Sequence, residues 1–130
     1  MYEKITSKVL TEIGGIKIGS KSFNLLTRRI AMVLEEIYGD TSYIETKAIV
    51  KLASEDNSNT YKVLHMLNYS TVKMWERGNQ AVLKQIFKNM DMYCPTSTSF
   101  INTVAYFIVR NYDRINNDTF KWEREKTYEE

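Results

Sequence analysis

The sequence predicts an all-α protein, folded as one compact six-helix domain that contains a helix-turn-helix. Apolar residues recur at spacings of three and four in nearly every segment, which is typical of amphipathic helices. No segment reads convincingly as a strand, and glycine or polar clusters separate the apolar segments. With 130 residues, the chain fits a single domain and can bury a core.

The first half of the chain divides into three predicted helices, over residues 2–13, 22–38 and 43–54. Gly14 and Gly15 end the first helix, because glycine readily adopts the conformation that closes a helix. The second is the long core helix, and the third runs into a polar turn, SEDNSN. Their predicted inward-facing residues are Ile5, Val9, Leu10, Ile13, Phe23, Leu26, Ile30, Val33, Ile37, Ile44, Ala48, Ile49 and Leu52.

The second half begins with the stretch 57–80, which contains a helix start, about five turns of helical pattern and a helix stop, and predicts a helix over residues 58–77. Asn57, Ser58, Asn59 and Thr60 are all plausible N-caps, and Gly78 is a good stop. A short helix at 80–90 and a last core helix opened by Pro95-Thr96-Ser97 follow. Their predicted inward-facing residues are Val82, Leu83, Ile86, Phe87, Phe100, Ile101, Val104, Ala105 and Ile108.

Beyond Asn111 the helical pattern weakens. The prediction is therefore a domain over residues 1–112, followed by a tail or helix extension over residues 113–130. Residues 111–130 carry six acidic and four basic side chains, so this segment is net acidic. Phe120 and Trp122 suggest that part of it docks on the domain.

Composition excludes several classes of protein. No apolar run approaches the length of a membrane span, and the N-terminus lacks the apolar region of a signal peptide. A lone cysteine, Cys94, excludes an internal disulfide and favours the cytoplasm. One histidine, one cysteine and scattered acids form no catalytic set, and His65 has no nearby metal-ligand partner. We therefore expect no enzyme activity, cofactor or metal, and no membrane contact.

The predicted helix 58–77 has an outer side that the core does not need. Its core stripe is predicted at Thr60, Val63, Leu64, Leu67, Ser70, Thr71, Met74 and Trp75. The opposite side carries Tyr61, Lys62, His65, Asn68, Tyr69 and Lys73. These side chains hydrogen-bond or stack, whereas a purely solvated face is more often Glu, Lys and Gln. The outer side therefore fits DNA, a protein partner or solvent alone.

Helices 43–54 and 58–77, joined by a short polar turn, have the dimensions of a helix-turn-helix. In that motif the second helix enters the major groove with its N-terminal half. A net charge of +2 is weaker than that of most dedicated nucleic-acid binders. The pattern alone leaves DNA, protein and solvent open.

Short motifs in order along the chain resemble the C-terminal effector domain of the stage zero sporulation protein A family. They are EIG at 12–14, I-x-M-V at 30–33, W-x-R-G-N at 75–79, Phe87, and P-T-x-x-x-F-I-x-x-V-A from Pro95 to Ala105. The resemblance covers about residues 5–110. It implies a six-helix DNA-binding domain that regulates transcription at a promoter element in double-stranded DNA. It also implies a homodimer through the helix from Pro95 and the tail.

The resemblance makes helix 58–77 the recognition helix. The candidate DNA-binding residues are Asn59, Thr60, Tyr61, Lys62, His65, Asn68, Tyr69, Lys73, Arg77, Lys47 and Lys51. Lys62, His65 and Asn68 are candidates for base contacts, and Tyr61 and Tyr69 for stacking on sugar or packing on a partner chain. Asn59 and Thr60 either cap the helix or touch phosphate, and the other basic residues are candidates for phosphate contacts.

Two departures from the family bear on function. The family's recognition helix typically carries arginines in an R-V-E-R-A-I-R-H-type run, where this chain has Lys62-Val63-Leu64-His65-Met66-Leu67-Asn68-Tyr69. Arginine–guanine contacts, worth about 1–3 kcal/mol each in discrimination, are therefore missing. The family also places a phosphorylated receiver domain first, whereas this chain begins at Met1, which suggests an excised or stand-alone effector domain. The alternative is a diverged relative that binds DNA weakly or not at all and acts through protein contacts.

Overall fold

The computed structural model describes residues 2–39, 45–88 and 93–123, and in these ranges every regular element is a helix. The helices are α1 (Glu3–Ile13), α2 (Lys21–Tyr38), α3 (Glu45–Glu55), α4 (Thr60–Arg77), α5 (Gln80–Ile86), α6 (Ser97–Arg110) and α7 (Tyr112–Asn116). The predicted all-α class is confirmed. None of the described helices is long and apolar enough to cross a membrane.

The predicted helices agree with the observed ones to within a few residues. The difference in number is α7, a five-residue helix in the stretch where the sequence pattern weakens. Ile44, predicted to face inward, lies outside the described residues. The fifth helix was predicted over residues 80–90 but ends at Ile86, where Phe87 caps it, and residues 89–90 lie outside the described part. Thr96 caps α6 by accepting a hydrogen bond from the Ser99 N–H at 3.1 Å, so the predicted opening of that helix is confirmed.

Helix α2 lies at the centre of the bundle, packed against α1, α3, α4 and α6. The predicted stripe of Phe23, Leu26, Ile30 and Val33 is buried, and so are further α2 residues outside that stripe. These additional residues are Leu25, Ala31, Met32 and Leu34. A helix covered on several sides is apolar on more than one stripe, which explains the additional burial.

The prediction that Ile37 faces inward is wrong. Its side chain is 37% exposed, because it lies in the last turn of α2, at the periphery of the bundle. Next to it, the Tyr38 ring stacks on the Tyr2 ring, with centroids 5.6 Å apart, and meets the Tyr112 ring edge-on at 5.5 Å. Aromatic side chains thus join this end of α2 to the start of α1 and of α7.

The segment after α6 packs on the domain. Ile115 of α7 belongs to the buried core, and the rings of Phe120 and Trp122 lie 5.4 and 5.6 Å from the ring of Phe107 in α6. Lys8 of α1 donates a hydrogen bond to the Asn116 carbonyl at 2.9 Å. Residues 113–123 therefore contribute to the core, as Phe120 and Trp122 suggested.

One arginine connects the first three helices. Arg28 of α2 lies 3.4 Å from Glu3 of α1 and 3.2 Å from Glu35 of its own helix. Two guanidinium nitrogens also reach the Glu55 carboxylate at the end of α3, each at 3.4 Å. Desolvation by burial opposes the charged form, but the Glu55 hydrogen bond and the three carboxylates prevail and raise the pKa of Arg28. Arg28 therefore positions α3 against α1 and α2.

The end of α4 is joined to the end of α1 by a hydrogen bond and two glycines. The Asn79 N–H donates to the Ile13 carbonyl at 2.7 Å. A Cβ atom on Gly78 would lie 2.8 Å from Ile13 Cγ2, and one on Gly15 would lie 2.9 Å from the Lys73 carbonyl. Because real Cβ atoms do not approach this closely, only glycine allows the two helix ends to meet here. We call Ile13, Gly15, Gly78 and Asn79 the α1–α4 junction.

Replacing Gly15 by alanine tests the closeness of this junction. Gly15 has a φ of +94°. Gly19 is the matched control, because its φ is +81° but no atom lies within 4 Å of the place that its Cβ atom would occupy. Gly19→Ala should lower the free energy of unfolding by about 1 kcal/mol, the cost of a left-handed residue. Gly15→Ala adds a backbone clash and should cost about 3 kcal/mol. Urea unfolding measures both, and equal losses would contradict the close contact.

Candidate nucleic-acid interface

The turn between α3 and α4 is fixed by two consecutive caps. The Ser58 N–H donates to the Ala53 carbonyl at 2.8 Å, and the Asn57 N–H donates to the Ser54 carbonyl at 3.3 Å. With Asn57 at φ +51°, this is the Schellman pattern that closes a helix. Asn59 follows directly as the N-cap of α4, accepting from the Lys62 N–H at 3.0 Å. Of the four predicted cap candidates, the structure therefore selects Asn59.

The inner side of α4 packs into the core and satisfies its own polar groups. Val63, Leu67 and Met74 are buried, as predicted. The Ser70 hydroxyl donates to the carbonyls of Met66 in α4, at 2.8 Å, and Ser22 in α2, at 3.2 Å. The Thr71 hydroxyl donates to the Leu67 carbonyl at 2.9 Å. Two polar residues thus occupy the core stripe without an unpaired hydroxyl.

The C-terminal end of α4 is anchored by aromatic packing. Trp75 is buried, as predicted, and its ring meets the Phe87 ring edge-on, with centroids 5.3 Å apart. Phe87 in turn packs on Phe100 of α6 at 5.2 Å. Together with the α1–α4 junction, this packing fixes the position of the C-terminal end of α4 in the bundle.

Two residues predicted for the core stripe of α4 are instead exposed. Leu64 is 43% exposed, because the buried stripe runs through Val63 and Leu67 and leaves Leu64 at its edge. Thr60 is exposed, because it is the first residue of the helix and projects beyond the core. Val72, also 39% exposed, adds a further apolar side chain to the outer surface of α4.

The predicted outer side of α4 is accessible over its whole length. Tyr61, Lys62, His65, Asn68 and Tyr69 are exposed, and Lys73 is half-buried. We call these six residues the outer face of α4. The structure therefore brings together the candidates for base contacts and stacking on one side of one helix.

Aromatic and cationic contacts order two parts of the outer face. The rings of Tyr61 and His65, one turn apart, are nearly parallel, with an interplanar angle of 12° and centroids 6.3 Å apart. The Lys73 ammonium lies 5.7 Å from the centre of the Tyr69 ring, within the range of a cation–π contact. Lys62 lies beside the first pair, in the N-terminal half of the helix, and Asn68 lies between the two pairs.

The remaining basic candidates flank the outer face. Lys47 and Lys51 are exposed on α3, and Arg77 is exposed in the last turn of α4. Two acids at the end of α3 carry ion pairs with α2, Glu55 with Arg28 and Asp56 with Lys21, the latter at 3.2 Å. The negative charge nearest the start of α4 is therefore balanced by bonds within the fold.

Sequence reasoning missed the apolar part of this surface. Val50 on α3 is 52% exposed, and Leu64 and Val72 accompany the polar residues on α4. Val72 lies four residues after Asn68, and this spacing could have placed it on the exposed side of the helix. Leu64 adjoins a core residue, so periodicity alone could not separate it from the buried stripe.

His65 and Cys94, the histidine and the cysteine that form no catalytic set in the sequence, have different surroundings. His65 stacks with Tyr61, as described above. Cys94 is exposed as a residue, but partial desolvation of the thiol and then the charge of Glu76 raise its pKa. A raised pKa keeps a thiol protonated near neutral pH, which weakens it as a nucleophile.

Comparison with known proteins adds no relative: no protein-family model, no curated protein sequence and no solved structure matches this chain.

Removing the cap tests how far the start of α4 depends on Asn59. Asn59→Ala should lower the free energy of unfolding by about 1 kcal/mol, because the Lys62 N–H loses its acceptor. Asn59→Asp keeps an acceptor and is the matched control. Thermal unfolding followed by circular dichroism measures both, and an Asn59→Ala variant as stable as Asn59→Asp would contradict the capping role.

Proposed function

We propose that this protein is a sequence-specific DNA-binding regulator of transcription, of the sporulation effector-domain type. In this proposal α3 and α4 form a helix-turn-helix, and α4 is the recognition helix. Its N-terminal half enters the major groove of a promoter element, and basic side chains of α3 and α4 hold the phosphates.

The observation that carries the proposal is the outer face of α4. Four hydrogen-bonding or stacking side chains of its N-terminal half, Tyr61, Lys62, His65 and Asn68, are exposed together, while the other side of the same helix is fixed in the core. The major groove, about 12 Å wide, admits an α-helix and presents a distinct donor and acceptor pattern for each base pair. A rigid helix with exposed donors and acceptors in its first turns meets both requirements.

The residue types on this face suggest which contacts it would make. The Asn68 amide can donate to and accept from adenine, the bidentate pairing that distinguishes this base. Lys62 can donate to guanine or to a phosphate, and His65 can donate or accept a single bond. The face lacks arginine, so the preferred sequence should differ from that read by the arginine-rich helices of the family.

The distribution of charge also supports the proposal. Lys47 and Lys51 on α3 and Arg77 on α4 extend positive charge beyond the outer face, and Glu55 is paired with Arg28. Contacts between such cations and DNA phosphates supply affinity that does not depend on sequence. They would set the position of α4 in the groove, while Lys62, His65 and Asn68 read the bases.

Motifs that carry the family resemblance contact one another in the folded chain. EIG and W-x-R-G-N adjoin through the hydrogen bond from Asn79 to Ile13. Trp75, Phe87 and Phe100, from three separate motifs, form one chain of packed rings. This convergence supports a shared scaffold, whereas the outer face of α4 is where the chain departs from the family.

The proposed homodimer would use α6 and the segment after it. Tyr106 of α6 is 53% exposed and available to a partner. The neighbouring Phe107 is buried, with Phe120 and Trp122 of the same chain packed on it. A dimer on this side would therefore be built around Tyr106 and polar residues.

A protein-binding role is the second candidate function, and the exposed apolar residues of α4 favour it. Tyr61 is 77% exposed, Tyr69 48%, Leu64 43% and Val72 39%. Several large apolar side chains exposed on one helix are a feature of protein contacts. In this candidate, α4 binds and titrates a full-length regulator of the resembled family.

The DNA proposal predicts the effect of Lys62→Ala. Anisotropy titration against random-sequence duplexes at about 50 and about 200 mM salt should show weaker binding, because a cation that donates to guanine or to a phosphate is lost. The salt slope should be smaller by about one where that contact is to a phosphate. Lys4→Ala, which removes an exposed lysine in the first turn of α1, at the end of that helix away from the α1–α4 junction, is the control and should leave the slope unchanged. Identical curves for Lys62→Ala and wild type would reject this site assignment.

The protein-binding candidate predicts the effect of Leu64→Ser/Val72→Ser. Both side chains are exposed, so stability should change by no more than about 0.5 kcal/mol per site. Calorimetric titration with a full-length regulator of the resembled family should show affinity reduced by about tenfold or more, since apolar contacts are lost. Deleting residues 113–130 is a poorer test, because it removes Ile115 from the core. Wild-type affinity in the double variant would exclude this surface.

A further inference from the structure

A groove between α5, α6 and α7 gathers several basic side chains and no acidic one among the described residues that line it. It encloses a cavity of about 420 Å³. Four basic side chains line it. Lys84 belongs to α5, Lys88 follows that helix, Arg110 ends α6 and Arg114 belongs to α7. The whole chain carries a net charge of only +2, so this concentration of positive charge is local. We call it the basic groove.

Other cations of this fold form ion pairs, and none of the ion pairs between described residues includes a cation of the basic groove. Lys8 pairs with Asp118, Lys21 with Asp56, and Arg28 with three glutamates. Among the described residues that line the groove there is no aspartate or glutamate. Clustered like charges repel one another, so a bound anion would relieve an unfavourable interaction here.

One of the four cations is held in a fixed position. A guanidinium nitrogen of Arg114 donates to the Asn111 side-chain oxygen, and the guanidinium carbon lies 5.2 Å from the centre of the Phe120 ring. The Arg114 carbonyl accepts from the Phe120 N–H at 3.0 Å, which ties the ring to the same turn. A pre-positioned guanidinium binds phosphate with less loss of side-chain entropy than a mobile one.

We propose that the basic groove binds a small ligand that carries two or more linked phosphates. A cavity of this size lies in the range of small-molecule sites, about 300–1,000 Å³. A single phosphate carries a charge of about −1.5 to −2 near pH 7 and would balance only part of four cations. Linked phosphates would balance all of them, with Arg110 and Arg114 offering forked donors and Lys84 and Lys88 point charges.

The test is a calorimetric titration of the protein with inorganic tripolyphosphate and, separately, with orthophosphate. Tripolyphosphate should bind more tightly than orthophosphate by about tenfold or more, because it meets more of the cations at once. Lys84→Gln/Lys88→Gln should weaken tripolyphosphate binding by about tenfold or more. Both lysines are exposed, so this variant should keep its fold. Arg110→Gln/Arg114→Gln is the second groove variant, with thermal unfolding as its check.

Lys4→Gln/Lys17→Gln is the matched control, since it removes two exposed lysines outside the groove. Unchanged affinity in this control, with losses in both groove variants, is the expected result. The proposal is overturned if tripolyphosphate does not bind, or if all three variants lose affinity equally. It is also overturned if Lys84→Gln/Lys88→Gln weakens the binding of duplex DNA while tripolyphosphate does not change the affinity of the wild type for DNA. The groove would then be a contact for the DNA backbone.

Discussion

The hydrogen bond from the Asn79 N–H to the Ile13 carbonyl, with Gly15 and Gly78 beside it, is the constraint on which the position of α4 depends. It fixes the C-terminal end of α4 against α1, and the Asn79 side chain simultaneously caps α5 by accepting from two N–H groups. At the other end, the Schellman turn and Asn59 fix where α4 begins. Held at both ends and packed on α2 along its inner side, α4 can present an ordered outer face without any further support.

This arrangement separates the scaffold from the surface that would recognise a partner. The residues that resemble the sporulation family, such as Ile13, Trp75, Asn79 and Phe87, lie in junctions, caps and ring contacts. Lys62, His65, Asn68 and Tyr69 make few contacts within the fold, so they can change without disturbing it. On a scaffold of this kind, the residues of the outer face can change while the fold is kept.

Periodicity predicted the helices well because burial in a helical bundle follows spacings of three and four. It could not predict contacts between segments distant in sequence. Nothing in the stretch around Arg28 indicates its three glutamate partners, and the second buried stripe of α2 depends on how many neighbours cover that helix. Leu64 was misassigned because it adjoins Val63, and only the packing of α4 distinguishes the two. The outer face of α4 was predictable because its polar residues interrupt no core contact.

The basic groove was not visible from the sequence, since Lys84, Lys88, Arg110 and Arg114 come from separate elements. Its cations meet only once α5, α6 and α7 are packed. If both the outer face of α4 and the groove bind phosphate-bearing ligands, the protein has two anionic partners on different elements of one domain. Binding at the groove can be measured without DNA, so the two proposals can fail independently.

The most direct test of the account is selection of bound duplexes from a random-sequence pool by the purified protein, at about 50 and about 200 mM salt. The account predicts an enriched motif, bound less tightly at the higher salt, with adenine at the positions that Asn68 would reach. Weak binding at both salt concentrations with no enriched motif would contradict the claim that the outer face of α4 reads DNA.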